Sequence, residues 1–163
     1  SGDLPNVQID GYRIDSTLGI SVRDGMKISF HTMSLPTAHL VWHTAYIVLF
    51  HSPDRIPAGD EYKEYALIRL DGENWESDDL ANNKTIVDIN DDFMGWDAWK
   101  EENKKGFDCT VSFKRDGNKI VTTTDNLGIA LNVTTTIVND VFDVYVSLTG
   151  DQCALTNIRI IND

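Results

Sequence analysis

The sequence lacks any long hydrophobic run and carries little positive charge. Its longest apolar stretch, residues 45–50, falls far short of the about 20 residues that a membrane-spanning helix needs, so it suits a buried strand. Lysine and arginine number 14 against 26 acidic residues, which gives a formal net charge of −12. Nucleic acids, anionic membranes and anionic polysaccharides require a basic surface, and this charge argues against all three as partners. A neutral ligand or a bound cation agrees with it.

Cysteine is also scarce, with only Cys109 and Cys153 present. Cys109 alternates in phase with Val111 and Phe113, which directs its side chain toward the core. The sequence leaves a disulfide between the two cysteines open, although free buried thiols are our expectation. No Cys-x-x-Cys pair and no cysteine–histidine spacing typical of a zinc site occurs.

Signatures of hydrolytic catalysis are missing as well. There is no Gly-x-Ser-x-Gly nucleophile elbow, and the Glu-x-Asp-x-x-Glu pattern of β-sandwich glycoside hydrolases is absent. Carboxylates such as Glu73 and Asp92 flank tryptophans, which keeps a small jelly-roll glycoside hydrolase or polysaccharide lyase open as an alternative. His39 and His43 have the spacing of a metal pair on a helix, but we expect a strand there.

Alternation of polar and apolar residues, not a helical period, dominates the chain. The segments are rich in Val, Ile, Thr, Tyr and Phe, as pleated and half-buried surfaces are. Turn residues such as Asp116-Gly117-Asn118 separate them. The pattern predicts strands at residues 19–22, 26–33, 40–51, 62–70, 85–88, 107–115, 119–125, 129–138, 141–148 and 155–161.

One short helix is predicted from Trp96 to Lys105, with Asp92 or Asp97 as its N-cap and Gly106 at its end. Many strands and a single helix predict an all-β protein, an antiparallel β-sandwich or jelly roll. We expect one domain over residues 1–163 with its core at about 19–161, since no linker or repeat interrupts the chain. The chain starts Ser-Gly and shows no signal peptide, so we expect its natural N-terminus to lie outside this sequence.

The four tryptophans stand among polar residues rather than in apolar runs. Trp42 precedes His43-Thr44, Trp75 follows Asn74, and Trp96 and Trp99 lie in the Asp-rich segment 91–99. Flat rings beside carboxylates and amides are what a sugar-binding surface needs, because the ring stacks on a pyranose while the polar groups bind its hydroxyls. Burial in the core is the alternative for each ring, and we expect it for Trp99.

The candidate binding residues follow from this pattern. Trp42 and Tyr46 share one face of the predicted strand 40–51, so they line a groove together or Tyr46 packs beneath Trp42. We expect stacking from three tryptophans, an extension of that platform by Tyr46, and hydrogen bonds to hydroxyls from four polar side chains. The stacking residues are Trp42, Trp75 and Trp96, and the hydrogen-bonding residues are Arg69, Asp71, Asn74 and Asp92.

A structural calcium ion is a further hypothesis, although no cofactor is required. Segment 88–92 reads Asp-Ile-Asn-Asp-Asp, which has the opening spacing of an oxygen-ligand loop. Phe93 and Trp99 stand where an EF-hand has its glycine and its closing glutamate. The segment therefore predicts a calcium site only of another type.

The order of these motifs resembles a known family. Trp42 opens a long strand, residues 64–71 read Glu-Tyr-Ala-Leu-Ile-Arg-Leu-Asp, Asn74-Trp75 follows, and a Trp-Asp-Ala-Trp loop precedes the hairpin that starts at Gly106. Together these resemble non-catalytic carbohydrate-binding modules appended to cellulases and other β-glucanases of anaerobic gut and rumen bacteria. The resemblance covers residues 19–161. The family often has Gly-Trp-Gly after Arg-x-Asp-Asn, where this chain has Gly72-Glu73-Asn74-Trp75-Glu76.

The resemblance implies a jelly roll that binds a polysaccharide or oligosaccharide in a cleft, with Trp42 and Trp75 facing the ligand. It implies a neutral β-linked glucan such as a cellulose-like chain, xyloglucan, mixed-linkage glucan or glucomannan. It further implies no catalysis, an extracellular bacterial location that is secreted or at the cell surface, and a monomeric module of a multidomain enzyme. A protein-binding adhesion module, with tryptophans as interface anchors, is the other alternative.

Overall fold

Two antiparallel sheets form the protein in a computed structural model that describes residues 2–74, 79–139 and 143–162. Within these residues the strands and the helix follow one another along the chain. Their bounds are β1 Val7–Ile9, β2 Ile20–Ser21, β3 Lys27–Ser34, β4 Ala45–His51, β5 Lys63–Arg69, β6 Ala81–Ile89, α1 Trp96–Lys105, β7 Phe107–Asp116, β8 Lys119–Asn126, β9 Ile129–Ile137, β10 Tyr145–Gly150 and β11 Cys153–Ile161.

The larger sheet has seven strands in the order β1-β11-β3-β7-β8-β9-β6, and the smaller has four in the order β2-β10-β4-β5. All strand pairs are antiparallel. One hydrophobic core draws side chains from both sheets, so the sheets pack face to face. The predicted all-β sandwich of jelly-roll class with one short helix is confirmed.

Alternation along the strands builds this core. In β7 the side chains of Cys109, Val111 and Phe113 point inward and are buried, while their neighbours point to solvent. Each large apolar side chain buried in this way contributes about 1.5–3 kcal/mol. The cysteines are free and buried, as expected, and burial raises the pKa of Cys109 to about 11 and that of Cys153 to about 12.

The smaller sheet is covered on its outer face too. Tyr46, Val48 and Phe50 of β4 form a second buried cluster on that face. The N-terminal segment contacts this cluster, since the Tyr12 ring meets Tyr46 at 6.0 Å and Gly19 lies against Phe50. Strand β4 is therefore buried on both faces, which explains why its residues form the continuous apolar run of the sequence.

Several predicted boundaries are wrong. The strand predicted at 40–51 begins at Ala45, because residues 40–43 form a turn closed by the His43 amide on the Leu40 carbonyl. Strand β6 extends beyond the predicted 85–88, and β1 was not predicted. The start of the predicted strand 141–148 lies outside the described residues. The other predicted strands differ from the observed ones by a few terminal residues.

Helix α1 has the predicted bounds but not the predicted N-cap. Gly95 occupies the N-cap with a φ of 99°, and no side chain caps the helix, so neither Asp92 nor Asp97 does so. A positive φ strains a residue that has a Cβ, which explains the choice of glycine over aspartate. Gly106 ends the helix as predicted, and its main-chain amide donates to the main-chain carbonyl of Glu102. This described helix is too short and too polar to cross a membrane.

Loops gather where the two sheets meet at one end of the sandwich, here called the loop end. The Asp151 amide donates to the Thr44 carbonyl at 3.1 Å, and the Leu35 amide donates to the Gln152 carbonyl at 2.8 Å. Thr44 also donates its hydroxyl to Asn103 of α1 at 2.7 Å. The loop end consists of residues 35–44, 70–74, 90–106, 127–128 and 151–152, and it includes most candidate residues.

Candidate functional site

Trp42 lies at the loop end in the turn that precedes β4, and 40% of this residue is exposed to solvent. Its main-chain carbonyl accepts a hydrogen bond of 2.6 Å from the Tyr46 hydroxyl. Burial raises the pKa of Tyr46, so this hydroxyl stays protonated and able to donate. The hydroxyl of Tyr46 therefore fixes the main chain of Trp42, from which the exposed indole projects.

Arg69, at the end of β5, places its guanidinium over that indole. Its guanidinium carbon is 5.8 Å from the centroid of the Trp42 ring. Nε and Nη2 of Arg69 donate to the two carboxylate oxygens of buried Asp71 at 3.1 and 2.6 Å. Burial lowers the pKa of Arg69, but the hydrogen bonds and charge of Asp71 outweigh it and the pKa is raised. The ion pair therefore fixes the guanidinium plane next to Trp42.

Asn74 and Glu73 complete this side. The side-chain oxygen of Asn74 accepts a hydrogen bond of 2.5 Å from the main-chain amide of Arg69. The exposed carboxylate of Glu73 accepts one of 3.3 Å from Arg69 Nη2. The buried side-chain nitrogen of Asn74 has no hydrogen-bond partner in the described part of the chain. Among the same residues Arg69 Nη1 also forms no hydrogen bond. Trp75, which follows Asn74, lies outside the described residues.

The predicted role of Tyr46 as a platform is wrong. Its exposure is 0%, because β4 is buried on both faces, so the second reading, in which it packs beneath Trp42, is the correct one. Tyr12 is the aromatic residue that the sequence did not indicate. Its ring is 56% exposed and meets Tyr46 edge to face at 6.0 Å. No local pattern marks Tyr12, since only tertiary packing brings residue 12 to β4.

We call this group the Trp42 site, and it consists of Tyr12, Trp42, Tyr46, Arg69, Asp71 and Asn74. Of the predicted residues, the structure brings Trp42, Arg69, Asp71 and Asn74 together here. Asp71 differs from its predicted role, because both of its oxygens bind Arg69 and its side chain is buried. It positions Arg69 rather than meeting a ligand hydroxyl.

Trp96 and Asp92 lie on a neighbouring loop. Trp96 is 41% exposed, and its ring meets Phe93 at 4.9 Å and Trp99 at 6.0 Å, edge to face. The exposed Asp92 belongs to a turn in which its amide donates to Asn90 at 2.9 Å. No contact among the described residues joins either of them to the Trp42 site. Their predicted contact with ligand stays a prediction.

Trp99 is the structural tryptophan, as expected. It is 2% exposed and its indole nitrogen donates to the Val41 carbonyl at 3.1 Å. Because Val41 precedes Trp42, this bond ties helix α1 to the turn that presents the exposed indole.

A buried histidine closes the same turn. Nδ1 of His43 accepts from the amides of His39 at 2.9 Å and Leu40 at 3.1 Å. The hydrogen-bond pattern therefore assigns the proton to Nε2, which lies 3.8 Å from Asp151. Burial lowers the pKa of His43, with Asp151 acting in the opposite direction. Neutral His43 is thus the form that holds the Trp42 turn.

The alternatives gain little from this geometry. Glu73 contacts Arg69 and Asp92 belongs to the Asn90 turn, and no described contact makes them a catalytic pair. Among the described residues no group of three or more His, Cys, Asp or Glu side chains is suited to a metal ion. Calcium at segment 88–92 stays a prediction, since amide and main-chain oxygens are ligands too.

No family model matches the chain, and no curated protein matches it. Similar solved structures include the carbohydrate-binding module CBM66 from Bacillus subtilis, at 10% identity and a TM-score of 0.45 over 99% of this chain and 92% of that chain. Galectin LEC-6 from Caenorhabditis elegans has 9% identity and a TM-score of 0.41 over 99% and 93%. The exoplasmic/lumenal domain of VIP36 in its Ca²⁺/Man-bound form has 12% identity and a TM-score of 0.40 over 97% and 80%. At such identities and TM-scores these similarities carry no conclusion about function.

Proposed function

We propose that the chain is a non-catalytic carbohydrate-binding module that recognises a neutral β-linked glucan at the Trp42 site. The observation that carries the proposal is the pairing of a 40% exposed indole with a guanidinium that Asp71 holds 5.8 Å from its centroid. The exposed part of the ring provides a stacking surface, and the fixed guanidinium over the ring provides a hydrogen-bond donor for a hydroxyl of the stacked sugar.

The chemistry favours a sugar over other flat ligands. Stacking of a pyranose on Trp42 contributes about 0.5–1.5 kcal/mol beyond burial, by analogy with aromatic pairs. Arg69 already neutralises Asp71, so its guanidinium offers its Nη1 hydrogens for hydroxyls rather than an uncompensated charge for an anion. Tyr12 presents a second exposed ring next to Tyr46. A site this open predicts weak binding.

Other parts of the proposal come from the sequence pattern and the family resemblance. Trp75 follows Asn74 directly and stacks on a further sugar ring, and Trp96 with Asp92 extends contact on the neighbouring loop. The module serves to bring an appended glycan-degrading enzyme to its substrate outside the cell. It requires no cofactor, and a calcium ion in segment 88–92 has a structural role.

Affinity electrophoresis tests the proposal. The wild-type chain is run through gels with xyloglucan, mixed-linkage glucan or glucomannan, beside Trp42→Ala and a control, Ile161→Ala. Ile161 is 42% exposed and lies on β11, outside the Trp42 site. We expect at least one glucan to retard the wild type and the control, and to retard Trp42→Ala much less. Failure of all three glucans to retard the wild type contradicts the proposal.

A further inference from the structure

A second open depression lies on the outer face of the seven-stranded sheet. It has a volume of about 570 Å³ and is lined by residues of β6, β7, β8 and β9. We call it the sheet groove. It does not include any residue of the Trp42 site.

The register of the strands explains its shape. Ala130 of β9 lies between Asp125 of β8 and Asp88 of β6, with which it pairs directly on either side. A small side chain between two longer ones forms a floor between two walls. Neighbouring strands are about 4.8 Å apart, which places Asp125 and Asp88 on backbones about 10 Å apart.

The next row of the groove adds hydroxyl and amide groups. Ser112 pairs with Thr123, and Thr123 pairs with Asn132. None of these three contributes its side chain to a hydrogen bond within the described parts of the chain, and the same holds for Asp88 and Asp125. Their acceptors and donors therefore face the groove, where they are open to a ligand.

This lining restricts the ligand. Among the described residues no lysine, arginine or aromatic side chain lines the groove, so they offer neither a counter-charge for an anion nor a ring for stacking. Within the described parts of the chain no group of three or more His, Cys, Asp or Glu side chains is suited to a metal ion, and Asp88 and Asp125 belong to no such group. Two or more separated groups that accept and donate hydrogen bonds fit a ligand with many hydroxyls along its length.

We propose that the sheet groove is a second saccharide-binding surface, which binds a neutral glucan chain by hydrogen bonds to Asp88, Asp125 and Asn132 without stacking. The choice of a glucan rests on the proposed function of the Trp42 site. The groove itself rests on separate residues of the other sheet.

The groove also leads to the loop end. Its residue Asn126 precedes residues 127–128, and the Gly128 carbonyl accepts from the Asn90 amide at 2.9 Å. The loop that starts at Asn90 continues to Phe93, whose ring contacts Trp96 at 4.9 Å. A chain that leaves the groove at this end meets the exposed Trp96, which the proposed function also assigns to the ligand.

Isothermal titration calorimetry with cellohexaose and with a xyloglucan heptasaccharide tests the inference on the full chain. The variants are Asp125→Ala, Asn132→Ala and Trp42→Ala, and the control is Thr136→Ala. Thr136 is an exposed residue of β9 that does not line the groove. Thermal unfolding of each variant confirms that the exposed substitutions leave the fold intact.

We expect Trp42→Ala to keep a measurable binding event, and Asp125→Ala or Asn132→Ala in that background to weaken it at least tenfold, which corresponds to 1.4 kcal/mol. Thr136→Ala should leave it unchanged. If Trp42→Ala removes all binding while both groove variants bind like the wild type, the inference is overturned and the Trp42 site stands. If Trp42→Ala binds like the wild type and the groove variants do not, the groove stands and the Trp42 site is overturned. A wild type that binds neither oligosaccharide overturns both.

Discussion

The hydroxyl of fully buried Tyr46 donates a hydrogen bond of 2.6 Å to the main-chain carbonyl of the exposed Trp42. The two residues are four apart along the chain, and strand β4 begins between them. Because β4 is buried on both faces, this bond restricts the motion of the surface turn that contains Trp42. A ring that is already ordered loses less entropy when it binds, which favours affinity at an open site.

Removal of that hydroxyl tests this relationship. Tyr46→Phe keeps the buried ring but leaves the Trp42 carbonyl without its partner, so we expect the free energy of unfolding to fall by about 0.5–1.5 kcal/mol and glucan affinity to fall with it. Urea denaturation and affinity electrophoresis measure the two effects. Tyr65→Phe is the control, because Tyr65 is also buried but its hydroxyl forms no hydrogen bond among the described residues. Equal losses in the two variants would argue against a specific role for Tyr46.

The planar fork of Arg69 is the second point to test. Arg69→Lys retains the charge but cannot reproduce the two parallel bonds to buried Asp71, so we expect a loss of about 1.5–3 kcal/mol in the free energy of unfolding. Glucan affinity should also fall, because the donor beside Trp42 is no longer fixed. Denaturant unfolding compares it with Arg23→Lys, an exposed position. Wild-type stability and affinity in Arg69→Lys would refute the positioning role.

His43 predicts a dependence on pH. Burial lowers its pKa in the folded state, so folding favours neutral His43 and its contribution to stability is present above the unfolded value of about 6.5. As the pH falls below that value, the unfolded chain takes up the proton first and this contribution is lost. We expect the free energy of unfolding and glucan affinity to decline between pH 7.5 and pH 5, measured by denaturation and electrophoresis at each pH.

The variant His43→Asn separates this effect from general acid sensitivity. Its amide oxygen can accept from the amides of His39 and Leu40 but does not titrate, so the decline should become shallower. His51→Asn is the control and should retain the full decline. If His43→Asn declines as steeply as the wild type, another group is responsible.

Substitution of the two tryptophans of α1 should destabilise the protein to different extents. Trp99→Ala removes a buried ring and its bond to Val41, so we expect a loss of about 3–5 kcal/mol in the free energy of unfolding. Trp96→Ala removes the side chain of a residue that is 41% exposed, and its loss should be smaller than that of Trp99→Ala because much of the ring is already in water. Guanidinium denaturation decides between them. A Trp96 variant as unstable as the Trp99 variant would make both rings structural.

The local patterns of the chain were sufficient for most of the fold. Alternation placed Cys109, Val111 and Phe113 on one buried face, because side chains of a strand point to opposite sides whatever they pack against. Gly106 was predicted to end α1 and does so, because glycine adopts the positive φ at which a helix commonly ends. The prediction of Asp92 or Asp97 as the N-cap was wrong, because the N-cap position has a positive φ, which Gly95 adopts freely and aspartate only with strain.

The site was predictable only in part. Arg69, Asp71 and Asn74 are close in sequence, and their grouping beside Trp42 agrees with the prediction. Tyr12 was missed because a contact across the N-terminal segment leaves no periodic signal. The sheet groove was missed because Ala130 and Asp88 are distant in sequence and meet only through strand register.

The sequence by itself determined the antiparallel sandwich, the helix and the positions of aromatic residues among polar ones, since these depend on neighbours within a few residues. Only the tertiary structure decided that Tyr46 is buried and Trp42 is exposed. Both belonged to one predicted strand, but burial depends on what covers the outer face of β4. That cover includes Tyr12, Gly19 and Tyr62, which no local pattern of β4 encodes.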